Sequence, residues 1–296
     1  VSSVNGMGNL FARKRHSIMK PHQIMRLHWR DDPRKTEEWA ANKQASFSDP
    51  TTWASEYDID YSASVEGICI PALWVESCKR ILSLEPRLRP SKAGVLGLDV
   101  GAGKAKSVSV PRKGPVVLPP LSRGSPDTTG TAWWGLETAL ENSCDVLNFD
   151  APGVGAGVSS ALMHRDDDAG QAKRFANITV NACNTGTTPS DRLWPDGRTS
   201  DEMFGNQKAE IWWLCRTAAQ RTHEHVLFLE NKPNGKEHPV TELLALPSGD
   251  KDSDAMCLQM SMVKWGRNDK GKIVIEKKEA LQRRGISSPD HADGLM

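Results

Sequence analysis

The spacing of apolar positions changes several times along the 296-residue chain, and each change predicts an element. Apolar and polar residues alternate in "QIMRLHW" (23–29), which predicts a strand. "DPRKTEEWAANKQASF" (32–47) then turns helical, with Pro33 in its first turn, acids early, and Trp39 and Phe47 on one apolar face. The polar, small-residue stretch "YDIDYSASVEG" reads as a connection, and "PALWVESCKRIL" as a second helix opened by Pro71. Two prolines and a glycine in "SLEPRLRPSKAG" predict a domain boundary close to Pro90.

Beyond that boundary the texture is different. "GVLGLDV" (94–100) is a short apolar run ending in Asp99, and "KSVSV" and "GPVVLPPL" read as strands beside it. "TTGTAWWGLETALENS" predicts a helix with Thr129 or Thr131 as its cap, leading into the strand "DVLNFD" (145–150). A helix through Leu162 and the strand "FANITVNA" follow. The longest helix is expected within "SDEMFGNQKAEIWWLCRTAAQR", with Ile211, Leu214 and Ala218 on one side. "AMCLQMSMVKWGRNDKGKIVIEKKEAL" predicts two strands around a turn at Asn268 to Gly271. Strands alternating with helices predict an α/β fold with a mixed central sheet.

Composition narrows the chemistry. Lys and Arg total 38 against 37 Asp and Glu, a net charge of +1, so no global field draws in nucleic acid or anionic lipid. DNA binding would have to come from local patches. The cysteines at 69, 78, 144, 183, 215 and 257 have neither CxxC pairing nor zinc-ligand spacing, and read as single buried thiols of a reduced compartment. No apolar run approaches the roughly 18 residues of a membrane span, so a cytoplasmic protein without membrane contact is expected. "VSSVNG", which begins without Met, reads as the interior of a longer chain.

Two glycine-rich stretches invite a nucleotide-binding reading. "GAGK" (101–104) follows a strand, but a phosphate loop needs a hydroxyl after its lysine and Ala105 stands there. "GVGAG" (153–157) has the spacing GxGxG with Val158 where a dinucleotide fingerprint puts its third glycine. These glycines read better as a tight strand-to-helix turn, and no nucleotide-binding residue is assigned.

The carboxylates offer a different pattern. Asp99 and Asp150 each end an apolar strand, and Asp290 and Asp293 lie three residues apart on one face of a helix opened by Pro289. Brought together, such acids repel unless a cation neutralises them, and Mg²⁺ is the natural partner. Two such ions roughly 4 Å apart can activate water and stabilise a departing oxygen in phosphodiester hydrolysis.

"LHWRDDPRK", "DIDYSASVEG", "GLDV", "DAPGVGAGV", "FGNQKAEIWWLCR", "LLALPSGD" and "SPDHAD" occur in the order found in large terminase subunits of tailed double-stranded DNA bacteriophages, which the chain resembles over nearly its whole length. The resemblance implies the end of an ATPase domain in residues 1–60, a linker with a helix in 61–90, and an RNase H-like nuclease domain in 91–296. It implies an endonuclease that cuts concatemeric double-stranded DNA with Mg²⁺, or Mn²⁺ in its place, working beside a portal protein and a small terminase subunit. The family's acidic triad carries over to Asp99, Asp150 and Asp293, with Asp290 as a neighbouring metal contact. Asn5 and Gly6 would lie in the family's loop coupling ATP hydrolysis to movement.

Departures from the family matter as well. No Walker A, Walker B or arginine finger is assignable, so ATP is expected to be used only by the full-length family protein. Lys104 and Lys106 stand where such terminases often have a further acid, and Gly294 where Ala is more frequent. Lys104, Lys277, Lys278, Arg283 and Arg284 are the candidate DNA contacts, with "ARKRH" (12–16) a further basic cluster. Rival expectations are another RNase H-like nuclease or transposase, and a catalytically silent prophage-derived module that docks a portal or small subunit.

Overall fold

Two runs with leucine or phenylalanine at every second position form the centre of the molecule. The computed structural model describes residues 14–15, 19–45, 53, 57–59, 67–101, 105–124, 127–151, 155–163 and 173–296. Asn5, Gly6, Phe47, Lys104 and Gly153 therefore lie outside the described residues. In chain order the main elements are α1 (Glu37–Ala45), α2 (Ala72–Leu84), β1 (Val95–Asp99), β2 (Lys106–Lys113), β3 (Val116–Val117), β4 (Leu121–Gly124), α3 (Thr128–Glu141), β5 (Val146–Asp150), α4 (Gly155–Met163) and β6 (Thr179–Cys183). They continue with α5 (Ser200–Met203), α6 (Gln207–Leu229), α7 (Lys251–Met260), β7 (Trp265–Arg267), β8 (Ile273–Ile275), α8 (Lys278–Arg283) and α9 (Asp290–Leu295).

The central sheet runs β3-β2-β1-β5-β6, with β4 also paired to β2. β1 is antiparallel to β2 and parallel to β5, and β5 is parallel to β6, so the sheet is mixed as the alternation of elements predicts. Side chains alternate across a strand. Leu96 and Leu98 of β1 and Leu147 and Phe149 of β5 face one side, where they pack with Ala132, Leu136 and Ala139 of α3 and Val158 and Leu162 of α4. Gly97, Asp99, Asn148 and Asp150 consequently share the opposite side. On β2, Val108 and Val110 belong to a second core with α2, α6 and α7, centred on the fully buried Trp212. Trp29, Ala40 and Trp53 form a small separate core nearer the N-terminus, flanked by Trp39 and Tyr57.

Several local expectations are corrected by capping chemistry. "QIMRLHW" is not a strand: the His28 ring accepts the Arg30 N–H while the Asp31 carboxylate accepts the His28 N–H, and residues 29–31 close into a 3₁₀ turn. α1 starts at Glu37 rather than beside Pro33, because Thr36 Oγ1 accepts the Trp39 N–H. α3 is capped by Asp127, whose side chain accepts the Thr129 N–H at 3.0 Å, while Thr131 bonds back to the Asp127 carbonyl. "SDEMFGNQKAEIWW" holds two helices, because Asn206 Oδ1 takes the Ala209 N–H and starts α6 afresh. The buried stripe of α6 includes Ala209, Trp212, Cys215 and Ala219, whereas Ile211, Leu214 and Ala218 are half-buried beside it.

"AMCLQM" is helical, because Asp250 accepts the N–H groups of Asp252 and Ser253 and nucleates α7. The strands expected around Asn268 to Gly271 are present only as β7 and β8. All six cysteines are free thiols, and Cys183 alone among them is half-exposed. No helix among the described residues is long and apolar enough to cross a membrane.

Candidate active site

The register of the sheet decides where the first two acids go. Leu98 pairs with Phe149 across parallel β1 and β5, so Asp99 and Asp150 follow at matching ends of adjacent strands, on the side away from α3. Neighbouring strands lie about 4.8 Å apart, so the two carboxylates are neighbours. The Asp150 backbone is gripped from behind: a Cβ on Gly155 would stand 1.9 Å from the Asp150 carbonyl oxygen. That close approach is what the glycine at the head of α4 provides, in keeping with a structural rather than a phosphate-cradling role for this run.

Asp293 arrives from the far end of the chain. α9 crosses β1 and β2 at two glycines: a Cβ on Gly97 would sit 1.9 Å from the Gly294 carbonyl oxygen, and one on Gly294 would meet Val110 Cγ2 at 3.1 Å. This backbone-on-strand contact lays the helix flat and carries Asp293 to the sheet edge. Asp99, Asp150 and Asp293 thus line one cleft of about 310 Å³, together with Lys208 and Lys278. Asp290 does not line that cleft, although its charge is felt at Asp99. The final turn of α9 is held by the Met296 N–H on the Ala292 carbonyl.

Electrostatics bind the cluster together. Burial, and after it the like charges of Asp293 and Asp290, push the Asp99 carboxyl from 3.8 up to about 7. Burial also raises Asp150, against the opposing pull of Lys278 and Lys208. Lys208 Nζ sits 3.0 and 3.1 Å from the two oxygens of Asp293. The Asp150 Oδ1 atom is buried and, among the described residues, has no hydrogen-bond donor. A bare carboxylate oxygen away from water is costly, and a bound cation would offset that cost.

The donor chemistry fits a hard divalent ion: carboxylate oxygens, one of them unpaired among the described residues and one raised by burial and then by its neighbours' charge. Among the described residues, however, no three His, Cys, Asp or Glu side chains already converge on a metal-binding point. Within the cleft, the Lys208 ammonium group pairs with Asp293.

The acid cluster has a consequence for stability. Unfolded, Asp99 loses its proton near pH 3.8; folded, it keeps it to about pH 7. Its contribution to stability is complete below about pH 4 and is lost as pH rises through 7. In the absence of divalent ions, the chain is expected to be less stable at pH 8 than at pH 5 by on the order of 2–4 kcal/mol from this group. Asp99→Asn should flatten that slope in urea unfolding at the two pH values; an unchanged slope would refute the assignment.

The basic candidates divide. Lys278 lines the cleft, and exposed Lys277 precedes it at the start of α8. Arg283 bonds the Glu279 carbonyl within its own helix, and Arg284 is tied to Glu276 and the Met262 carbonyl. Sequence reasoning missed Lys208. A signal for it exists: a lysine in the first turn of α6 opposes the helix dipole, which asks for a carboxylate partner elsewhere.

No family model matches the chain, and no curated protein matches it in sequence. Among solved structures, the nuclease domain of the large terminase subunit gp2 of bacterial virus Sf6 is similar, with a TM-score of 0.65 and 22% identity, covering 77% of this chain and 96% of that one. A mutant form of that domain with manganese and beta-thujaplicinol gives 0.66 at 21% identity, and one with manganese alone 0.64 at 21%, with the same coverage. The chain shares the mixed α/β, RNase H-like fold of that nuclease domain.

Proposed function

We propose that this chain is a divalent-metal-dependent endodeoxyribonuclease, the nuclease domain of a phage DNA-packaging terminase large subunit, which cuts concatemeric double-stranded DNA. The observation that carries the reading is the meeting of Asp99, Asp150 and Asp293 in one cleft, with a buried carboxylate oxygen unpaired among the described residues. The similar Sf6 domain, solved with manganese, supports the choice of Mg²⁺ or Mn²⁺. Residues 91–296 form the nuclease in this reading, 61–90 the linker with its helix α2, and 1–60 the end of an ATPase domain. Portal protein and small terminase subunit are its partners in the host cytoplasm.

Asp99, Asp150 and Asp293 would hold the cation, with Asp290 supporting their charge. A divalent ion there, or a pair of them, supplies Lewis acidity toward the phosphodiester and a more acidic attacking water. The chain's own residues do the rest. Lys278, at the cleft, offers positive charge to the DNA backbone, with Lys277, Arg283, Arg284 and Lys104 as further candidate phosphate contacts. Lys208 keeps Asp293 aimed into the cleft and balances its charge. Trp212, fully buried beneath the cleft, gives the acids a rigid floor.

The test is supercoiled plasmid incubated with the chain and Mn²⁺ or Mg²⁺. Nicked and linear products that disappear with a chelator are expected. A folded chain that cuts no DNA with either ion would overturn the reading in favour of a silent docking module. Lys278→Ala should weaken DNA binding and reduce its salt dependence by about one phosphate contact, measured as the slope of affinity against salt.

A further inference from the structure

The six-residue helix α9 holds Asp293, yet it has no capping side chain of its own: Pro289 precedes it and supplies none. A helix this short is unstable alone, and its first N–H groups need acceptors. They find one on another element. Gln259 Oε1, near the end of α7, accepts the N–H of His291 at 2.9 Å and of Ala292 at 3.1 Å. The Gln259 side-chain amide also meets His291 Nδ1 at 3.4 Å. One side chain, 32 and 33 residues away in sequence, thus caps the acid-bearing helix.

A second tie reinforces the first. His291 Nε2 lies 3.1 Å from Asp252 Oδ1, and both oxygens of Asp252 accept Ser122 Oγ of β4, at 3.1 and 3.0 Å. Asp252 and Gln259 are seven residues apart on α7, two turns along the same face. The fully buried Ala292 follows His291 in α9. Neither Asp252 nor Gln259 lines the acid cleft.

We infer that Gln259, supported by Asp252, is a positioning residue: by capping α9 from α7 it keeps Asp293 where a cation can be shared with Asp99 and Asp150. The inference rests on the metal-dependent nuclease reading given above. It concerns residues outside the acid cleft that act through the helix they hold.

Two variants separate the cap from mere packing. Gln259→Met keeps the size and removes the acceptor, whereas Gln259→Glu keeps the acceptor. Mn²⁺ binding by calorimetry and amide hydrogen exchange over residues 289–296 are read for each, with Thr199→Ala, which removes the cap of α5, as a comparably destabilised control. Gln259→Met should weaken Mn²⁺ binding about 10-fold and speed exchange in that segment by a similar factor, Gln259→Glu should restore both, and the control should bind as the unaltered chain does. If the unaltered chain binds Mn²⁺ and Gln259→Met binds it equally well, or Gln259→Glu is as weak as Gln259→Met, the positioning role is overturned alone. If the unaltered chain binds no Mn²⁺, the functional reading falls and this inference with it.

Discussion

Asp150→Asn is expected to reduce metal-dependent DNA cleavage by about a thousandfold or more, with the fold intact. The side chain keeps its size, so nothing in the core formed by Phe149 and α4 has to move. What changes is one charge, at a buried atom with no hydrogen-bond partner among the described residues. Loss of a cation's charge stabilisation is worth several kcal/mol, and about 4 kcal/mol corresponds to that factor in rate. Asp99→Asn and Asp293→Asn should behave alike, since all three acids line the same cleft. In divalent-free buffer the Asp150 variant should be at least as stable as the unaltered chain, because burial disfavours the charged form that it removes. The assay is plasmid linearisation by purified variants matched in circular dichroism. Equal digestion by all of them would identify the activity as a contaminant.

Gly97→Ala carries the largest structural effect. Its Cβ would stand 1.9 Å from the Gly294 carbonyl oxygen, a distance that no rotamer can relieve because the obstacle is backbone. Either α9 lifts off the sheet or β1 buckles. A cost of roughly 3 kcal/mol is expected, a fall of about 5 °C in melting temperature for a chain of this size. Lifting α9 also withdraws Asp293, so Mn²⁺ affinity should fall along with stability. Gly294→Ala is the informative contrast. Its Cβ would meet the tip of Val110 at 3.1 Å, where a small shift suffices, so a cost of under about 1 kcal/mol is expected. Similar thermal shifts for the two variants would show that the helix–strand contact is not the constraint.

Particular residues explain which parts of the site are legible in sequence. Asp99 and Asp150 stand out because each closes a strand whose leucines and phenylalanine alternate, and alternation assigns the aspartate to the face opposite the apolar core. "PDHAD" is legible as a helix start because proline precedes closely spaced acids. The partner of Lys208 is hidden because Asp293 is 85 residues away. Gln259 is hidden for the same reason, inside a segment whose apolar alternation imitates a strand until the Asp250 cap makes it a helix. The misread strand at "QIMRLHW" has a similar origin: reciprocal bonds between His28, Arg30 and Asp31 outweigh a pattern of only seven residues.

The sequence by itself determined the α/β class, the inner strands, the helices that cover them and the acids at the strand ends. It could do so because period-2 and period-3.6 patterns are local, and local patterns specify which face of an element is apolar. Only the tertiary structure decided that α9 lies across Gly97, that Lys208 holds Asp293, that Gln259 caps a helix not its own, and that Asp290 stands outside the cleft. Those are contacts between elements distant in the chain. They depend on close approach of backbones and on unpaired polar atoms finding partners, neither of which leaves a period in the sequence.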